Sequence, residues 1–437
     1  MASHPSPLTP HQSRVTPHQS LIIGGGISGI TAAVELAEAG RKVVLVEREP
    51  YLGGNVSSFN NYFPKLCPPA CGLEINYGRI RSNRRITTHT GAEVKEITGR
   101  EGDFRAKVAL QPQMINDRCT ACGKCAEVCP EERPLEPGSG VAQKAAYING
   151  GLAFPMRYTI DPEVCSGTSC GKCLEVCQYD AIELDARSTT IEIQAHRIIV
   201  ATGWQPYAAE KLENYRYTEE PDVVTNLEFE KMLAACTREN KKLTRPSDGK
   251  EPGNIAFVQC AGSRDINHLP YCSAVCCPAS VKHALTLSES MPGVTTELFY
   301  IDLRLTGRNE KLLKQAENKT TPHPSPSPLT PHPSPITFTK GKVGRINRGE
   351  DGGLLLEVED IMAGKRRIEP FDMVVLATGI VPNPQLPLLS TNEYGFCDSK
   401  QVSGIYPAAT CKRPMDVSSS VKDATSAAIK TMHKDEG

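Results

Sequence analysis

Leu21, Ile22 and Ile23 form a short apolar run that stops at Gly24, Gly25, Gly26, Ile27, Ser28 and Gly29. Beyond the glycines, Ile30, Ala33, Val34 and Ala37 recur at the spacing of one helical face as far as Gly40. Lys42 to Val46 then reads as a second apolar strand ending in an acid, Glu47. An apolar strand running into a small-residue turn returns in RIIVATG (197–203) and in MVVLATG (373–379). Asn254 to Val258 opens a further strand, followed by a helix from about Ala279 and a strand from Glu297 to Asp302. The chain closes on an Ala- and Ser-rich helix after Cys411, in VSSSVKDATSAAIK.

The first of these patterns is a complete dinucleotide fingerprint. Gly24, Gly26 and Gly29 are the spaced glycines of GxGxxG, which let the backbone turn tightly and approach a pyrophosphate at a helix N-terminus. Glu47 follows 18 residues after the last of them, where an acid accepts from a ribose hydroxyl. Gly53 and Gly54, in REPYLGGN, can again bring backbone close to a ligand phosphate or ring, and this second pair favours FAD over NAD. The paired turns Ala201, Thr202, Gly203 and Thr378, Gly379 are where a flavoprotein with two dinucleotide domains leaves and re-enters its FAD domain, so they join the candidate cofactor residues. Asp416 joins them too, because the helix start after it can point its partial positive charge at a flavin ring carbonyl.

Composition narrows the classes. A net charge of −1 over 437 residues gives no field favouring nucleic acid or anionic lipid. No run of 18 apolar residues exists, and the N-terminal 20 residues have no apolar core, so direct membrane insertion and export are not expected. Seventeen cysteines without an export signal point to metal or redox chemistry rather than a disulfide scaffold. Pro5 to His11 (PSPLTPH) recurs letter for letter at Pro326 to His332, and such composition cannot bury a core. We therefore expect a disordered tail and a surface insertion there, and discount His4, His11, His18, His323 and His332 as ligands.

The cysteines cluster. Cys119, Cys122, Cys125 and Cys129 form CxxCxxCxxxCP, the bacterial ferredoxin run, in which three thiolates hold one iron–sulfur cube and the fourth ligates another. Cys165, Cys170, Cys173 and Cys177 form a second run whose first gap is widened to four residues and which lacks the closing proline. By ferredoxin exchange, Cys119, Cys122, Cys125 and Cys177 make one set, and Cys129, Cys165, Cys170 and Cys173 the other. Where the second dinucleotide unit should carry its glycines stand Cys260, Cys272, Cys276 and Cys277 instead. Adjacent Cys276 and Cys277 are poorly placed to form a disulfide with each other, so a third cubane competes with a redox dithiol or buried thiols. His268 and His283 flank this set, as tuning groups or as satisfied structural histidines. Cys67 and Cys71, stiffened by Pro68 and Pro69, are read on an irregular turn with three roles open: a redox pair beside the flavin, two cluster ligands, or structural thiols. Cys397 and Cys411 read as lone packing thiols.

The stretches FPKLCPPACGLEIN, CTACGKCAEVCP, AFPMRYTIDP, VQCAGSRDINHLPYCSAVCC and KRPMDVSSSVKDAT closely resemble the A subunits of quinone-interacting membrane-bound oxidoreductase complexes, within the wider family of heterodisulfide reductase A subunits. The resemblance implies an α/β fold: two Rossmann-like domains of the thioredoxin-reductase/disulfide-reductase flavoprotein type with an inserted ferredoxin-like iron–sulfur domain. It implies bound FAD at Gly24, Gly26, Gly29 and Glu47, and a non-ferredoxin cluster at Cys260, Cys272, Cys276 and Cys277, so two to three [4Fe–4S] clusters in all. The expected division is a tail at 1–20, FAD-binding segments at 21–114, 183–220 and 373–437, the ferredoxin-like insertion at 115–182, and a degenerate nucleotide-binding-like domain at 221–372 interrupted by the low-complexity 321–335. The implied partners are a B subunit that is a second flavoprotein of the same kind, a membrane quinone-interacting subunit, and adenylylsulfate reductase as electron partner. Together these imply a cytoplasmic oxidoreductase component, peripherally attached to the inner face of the membrane. The rival reading from the residues is a free-standing NAD(P)H-dependent disulfide reductase using Cys67 and Cys71, and the missing second GxGxxG argues against it.

Overall fold

The computed structural model describes residues 19–134, 142–319, 336–350, 352–384, 386–398 and 400–433. The expected tail up to residue 18, the 321–335 insertion and the five discounted histidines lie outside the described residues.

Five parallel strands form the first sheet, in the order Ile405–Pro407, Arg197–Val200, Gln19–Ile23, Lys42–Val46, Ile86–His89. Leu21 lies opposite Ile198 on one side and Val44 on the other. These strands are apolar at nearly every position because both faces of the sheet are covered. Ile22, Val43, Leu45 and Ile199 face the helices Ile27–Glu38 and Val417–His433, which pack on each other. The alternate residues Leu21, Ile23, Val44, Ile198 and Val200 face a three-stranded antiparallel meander of Ala92–Arg100, Asp103–Leu110 and Thr189–Ala195, meeting Val94, Phe104 and Val108.

The cysteine-rich insertion leaves and rejoins this meander. Leu110 pairs with Thr189 at its end, and an antiparallel bridge between Ile115 and Ile182 closes the neck. Its small core of Ile115, Ala146, Ile160, Ala181, Ile182 and Leu184 packs directly against the thiols. It is seated on the loop after Glu47 and, through Tyr77, on the helix Ala70–Ser82. Leu52 N–H donates to Phe154 O at 2.8 Å, the Tyr51 hydroxyl lies 2.9 Å from Arg157 O and 3.1 Å from Tyr147 O, and Tyr77 stacks on Phe154 with centroids 5.0 Å apart.

The second sheet has seven strands: Val223–Thr225, Met373–Leu376, Asn254–Val258, Thr295–Tyr300, Ile336–Arg348, Leu354–Asp360 and Lys365–Phe371 in spatial order. The first four pairings are parallel and the last two antiparallel. Helices Asn226–Glu239, Cys276–Ser290 and Glu310–Glu317 cover one face. Thr225 and Glu228 close the first of these with a capping box, each side chain accepting the other's backbone N–H.

Two expected boundaries move. Met373–Leu376, expected to begin the returning FAD segment, lies inside the second sheet between Val223–Thr225 and Asn254–Val258. Tyr207, Leu212 and Tyr215, expected in the first domain, pack in the second domain's other core. The crossing in both directions is a ribbon in which Trp204–Pro206 pairs antiparallel with Ile380–Pro382. A buried strand reads the same in either sheet, so its apolar run cannot say which sheet it joins.

Candidate functional site

The glycine turn is shaped by close approach. A Cβ on Gly29 would stand 1.8 Å from Gly24 O, and one on Gly24, at φ +103°, would stand 2.3 Å from Ala201 O. Helix and strand therefore meet here only without side chains, and the Ala201–Thr202–Gly203 turn forms the wall behind Gly24. Gly53 N–H donates to Gly25 O at 2.8 Å, and a Cβ on Gly54 would come within 3.0 Å of Gly26 Cα, so the second glycine pair lies over the first. The helix Ile27–Glu38 starts at Gly26 with no side-chain cap and no acid in its first turn. Its leading N–H groups stay open to an anion, which fits a pyrophosphate.

Glu47, buried at the strand end, accepts from Gly25 N–H at 2.5 Å and from Glu49 N–H at 2.8 Å. Burial pushes its carboxyl above the usual range. Two hydrogen bonds leave a carboxylate with lone pairs to spare for a ribose hydroxyl. Asp416 has a local duty: its Oδ1 accepts from Ser419 N–H at 2.7 Å, and its O from Ser420 N–H at 2.9 Å, capping the last helix.

The insertion gathers its thiols into two groups. Cys119, Cys122, Cys125 and Cys177 line one pocket with Ile115, Tyr158 and Ile182. Cys173 lies among Cys165, Cys129 and Cys170. Short helices Lys124–Glu127 and Lys172–Val176 present Cys125 and Cys173 and pack on one another, while the turn Gly167–Ser169 absorbs the widened gap. Backbone N–H groups of Ala121, Gly167 and Ala181 donate to Cys119, Cys165 and Cys177, each at 3.4 Å. Burial and the neighbouring Cys119 push the Cys125 thiol up to about 12. Among the described residues no three His, Cys, Asp or Glu side chains converge as the ligands of a single metal ion do. A polynuclear cluster fits thiols spaced around a pocket and supplied with N–H donors. Tyr51, which seats the insertion on the glycine loop, also senses Cys119.

In the second domain Cys260 follows the strand Asn254–Val258, and Cys276 and Cys277 begin the helix Cys276–Ser290. That helix starts three residues before the expected Ala279, because Pro278 falls in its first turn, where its missing N–H has no partner to lose. Ala274 N–H donates to Cys272 at 3.3 Å and Gly379 N–H to Cys276. Burial drives the Cys276 thiol far up and the Cys277 thiol up to about 11. Thr378 and Gly379, expected among the cofactor residues, lie beside this set. Ser263 Oγ donates to Thr378 O at 3.1 Å, and a Cβ on Gly379 would fall 2.3 Å from that Oγ. They follow the strand Met373–Leu376 into the second sheet.

Cys67 lies on a loop and Cys71 is the second residue of the helix Ala70–Ser82, exposed near Tyr62. The expectation of an irregular turn for both thiols therefore fails for Cys71: Pro69, at φ −57°, is already helical and caps the helix. The loop before Cys67 is seated on the second domain. Phe63 and Leu66 pack into its core, while Asn60 N–H (2.7 Å) and Asn61 N–H (3.3 Å) donate to Glu230 Oε1. Glu230 Oε2 meets both Lys282 Nζ and His283 Nε2 in full burial. Burial alone would raise the Glu230 carboxyl, but Lys282 and His283 hold it below the usual carboxylate range. Burial lowers both Lys282 and His283, and Glu230 opposes it in each. His283 is thus a structural partner, and His268 pairs with the Tyr207 hydroxyl at 3.0 Å. Spacing along the chain gives no signal for this network, since its members lie 52 and 53 residues apart.

Known proteins agree with this geometry. Residues 20–113 match the model of the FAD dependent oxidoreductase family, and residues 112–132 that of the 4Fe-4S binding domain. The chain is 35% identical over 431 residues to the A subunit of the H(2):CoB-CoM heterodisulfide,ferredoxin reductase of Methanothermobacter marburgensis, covering 94% of this chain and 63% of that protein. It is 32% identical over 432 residues to the A subunit of the ferredoxin:CoB-CoM heterodisulfide reductase of Methanosarcina mazei, covering 94% of this chain and 52% of the relative. The chain thus spans between about half and two thirds of these relatives' lengths. Among solved structures, the thioredoxin reductase of T. acidophilum superposes with a TM-score of 0.51 at 14% identity, covering 96% of this chain and 100% of that one. The thioredoxin reductase of Lactococcus lactis does so at 0.50, with 14% identity, covering 95% and 98%. The fold is accordingly the mixed α/β fold of thioredoxin-reductase-like flavoproteins with a 4Fe-4S domain, and the cofactors are FAD and [4Fe–4S] clusters. Over nearly its whole described length this oxidoreductase chain is a homologue of heterodisulfide reductase A subunits.

Proposed function

We propose that the chain is an electron-transfer subunit of a heterodisulfide-reductase-like complex, relaying electrons between the quinone pool and adenylylsulfate reductase through its own thiol-ligated centres. One observation carries the relay. The insertion bearing eight cysteines is fastened onto the Tyr51–Gly54 loop that overlies the glycine turn, with Cys119 near Tyr51. Bound FAD exchanges electrons singly or in pairs, and a [4Fe–4S] cluster exchanges them one at a time.

The chain's own residues supply the rest. Gly24, Gly26, Gly29 and the free helix start hold the pyrophosphate, Glu47 accepts from the ribose, and Leu52 and Tyr51 fix the distance to the insertion. Cys119, Cys122, Cys125 and Cys177 hold one cluster, Cys129, Cys165, Cys170 and Cys173 a second, and Cys260, Cys272, Cys276 and Cys277 a third. Apolar packing buries Cys125 and half-buries Cys119 and Cys177, while Cys122 faces solvent. Among the described residues no helix is long and apolar enough to cross a membrane, so contact with quinone falls to a membrane partner, with a second flavoprotein subunit beside it.

The test is anaerobic mixing of the purified chain with reduced adenylylsulfate reductase and, separately, with NADH, followed at the flavin absorbance. Rapid bleaching by the former and none by NADH is expected. Rapid bleaching by NADH alone would replace this reading with a pyridine-nucleotide disulfide reductase.

A further inference from the structure

Two arginines close on the Cys260 set from the segment after the strand Thr295–Tyr300 and from the turn after Cys260. The Arg264 guanidinium stands beside Cys260, and the Arg304 guanidinium beside Cys272. The backbone N–H of Arg304 faces Cys277. Both guanidinium groups are held by one carboxylate: Asp302 Oδ1 pairs with Arg264, and Asp302 Oδ2 accepts from Arg304 Nε at 3.1 Å. Donors thus reach all four thiols, with Gly379 N–H on Cys276 and Ala274 N–H also on Cys272. In the insertion, by contrast, Cys119, Cys165 and Cys177 take backbone N–H groups, which bring no net charge.

We propose that Arg264 and Arg304, spread across the thiols by their shared carboxylate Asp302, raise the reduction potential of the cluster held by Cys260, Cys272, Cys276 and Cys277. The inference rests on that reading of the four cysteines. A cluster gains one negative charge on reduction, so a fixed cation at its sulfurs stabilises the reduced form more than the oxidised one. Arginine suits this role because it stays charged at any working pH. Arg264 carries more of the effect: its side chain is 25% exposed against 47% for Arg304, so solvent screens its charge less. Asp302 opposes both charges while aiming them. The two are therefore positioning residues with a sign: neutralising an arginine lowers the potential, and neutralising Asp302 raises it.

The experiment is an EPR-monitored titration of the iron-loaded full chain under anaerobiosis, with dithionite supplying each single electron. Cys276→Ser first identifies which signal belongs to this site. In Arg264→Gln and Arg304→Gln, at wild-type iron and flavin content, that signal shifts to a lower midpoint, further in the former, while the other cluster signals keep theirs. In Asp302→Asn, which retains an oxygen for Arg264, it shifts upward. Arg264→Lys keeps the charge and holds the midpoint close to wild type even where the glutamine variant loads iron poorly. A Cys276-dependent signal that stays in place in both glutamine variants would overturn the role of the arginines and leave the cluster standing. A lysine variant shifted as far as glutamine would overturn the role of charge. No Cys276-dependent signal in the wild-type chain would overturn the cluster reading and this inference together.

Discussion

Glu230→Gln should be among the most damaging conservative substitutions in the chain. Glu230 and Lys282 are each 5% exposed at the side chain, so neither charge is solvated except by the other and by their hydrogen bonds. Glutamine keeps the shape but removes the countercharge, and its single carbonyl oxygen serves either the Asn60 and Asn61 N–H groups or Lys282, whose other acceptor is Asn61 O at 3.0 Å. Removing one partner of a buried ion pair costs about 3–5 kcal/mol. At roughly 2–4 °C per kcal/mol for a domain of this size, the melting temperature falls by about 6–20 °C. Because Asn60 and Asn61 hang their N–H groups on the same carboxylate, their amides should also exchange with solvent faster, loosening the loop that leads to Cys67. Calorimetry reads the first effect and amide hydrogen exchange the second. The double variant Glu230→Gln with Lys282→Met removes both charges and should recover much of the loss, since a buried pair replaced as a unit is close to neutral. Having a lowered native pKa, Glu230 adds stability that is complete above the ordinary carboxylate value and is lost as pH falls below it. A loss below about 1 kcal/mol in the single variant would mean that Glu230 and Lys282 are not a buried, mutually dependent pair, because that is the scale of a solvated surface pair.

Three further outcomes follow from the site. Gly29→Val places a side chain against Gly24 O, where even a Cβ stands 1.8 Å away, and should yield a flavin-free chain by absorbance. Cys177→Ser should remove the cluster of the Cys119 pocket and spare that of Cys165, although Cys177 belongs to the second run; iron content falling by about four per chain with one EPR signal lost checks it. Burial raises the Cys277 thiol from 9.0 up to about 11, so metal-stripped chain keeps this contribution to stability below pH 9 and loses it as pH climbs toward 11. Iron-loaded chain, whose thiolates are already deprotonated by the metal, should not show that step in its thermal melts.

Much of the site is legible in the sequence because its chemistry depends on short-range spacing. The strand, glycine turn, helix and acid of residues 19–47 form one local unit, and their spacing alone implies an anion at the helix start. The ferredoxin exchange is legible for another reason, the pattern of the two runs: Cys177 joins Cys119, Cys122 and Cys125 in lining one pocket across a long stretch of chain. What escapes depends on long-range pairing. The strand Met373–Leu376 shows the same apolar run as Arg197–Val200, and only its pairing with Asn254–Val258 shows that Thr378 and Gly379 lie beside Cys276. Arg264, Asp302 and Arg304 look like ordinary surface charges until the turn and the strand end meet. Cys397 and Cys411 read along the chain as lone packing thiols, yet the N–H of one donates to the carbonyl of the other at 2.8 Å and their side chains touch within the first domain's core. Proline misleads at Pro69, a helix breaker that stands at the start of a helix and does no harm, as Pro278 does in the first turn of Cys276–Ser290.

The measurement that bears most directly on the relay is the iron, sulfide and flavin content of the anaerobically purified chain, read with EPR of the reduced form. Three clusters and a bound flavin require about twelve irons, about twelve sulfides and one FAD per chain, with three cluster signals of which Cys276→Ser removes one. A chain that carries neither iron nor flavin when prepared under strict anaerobiosis would contradict the relay.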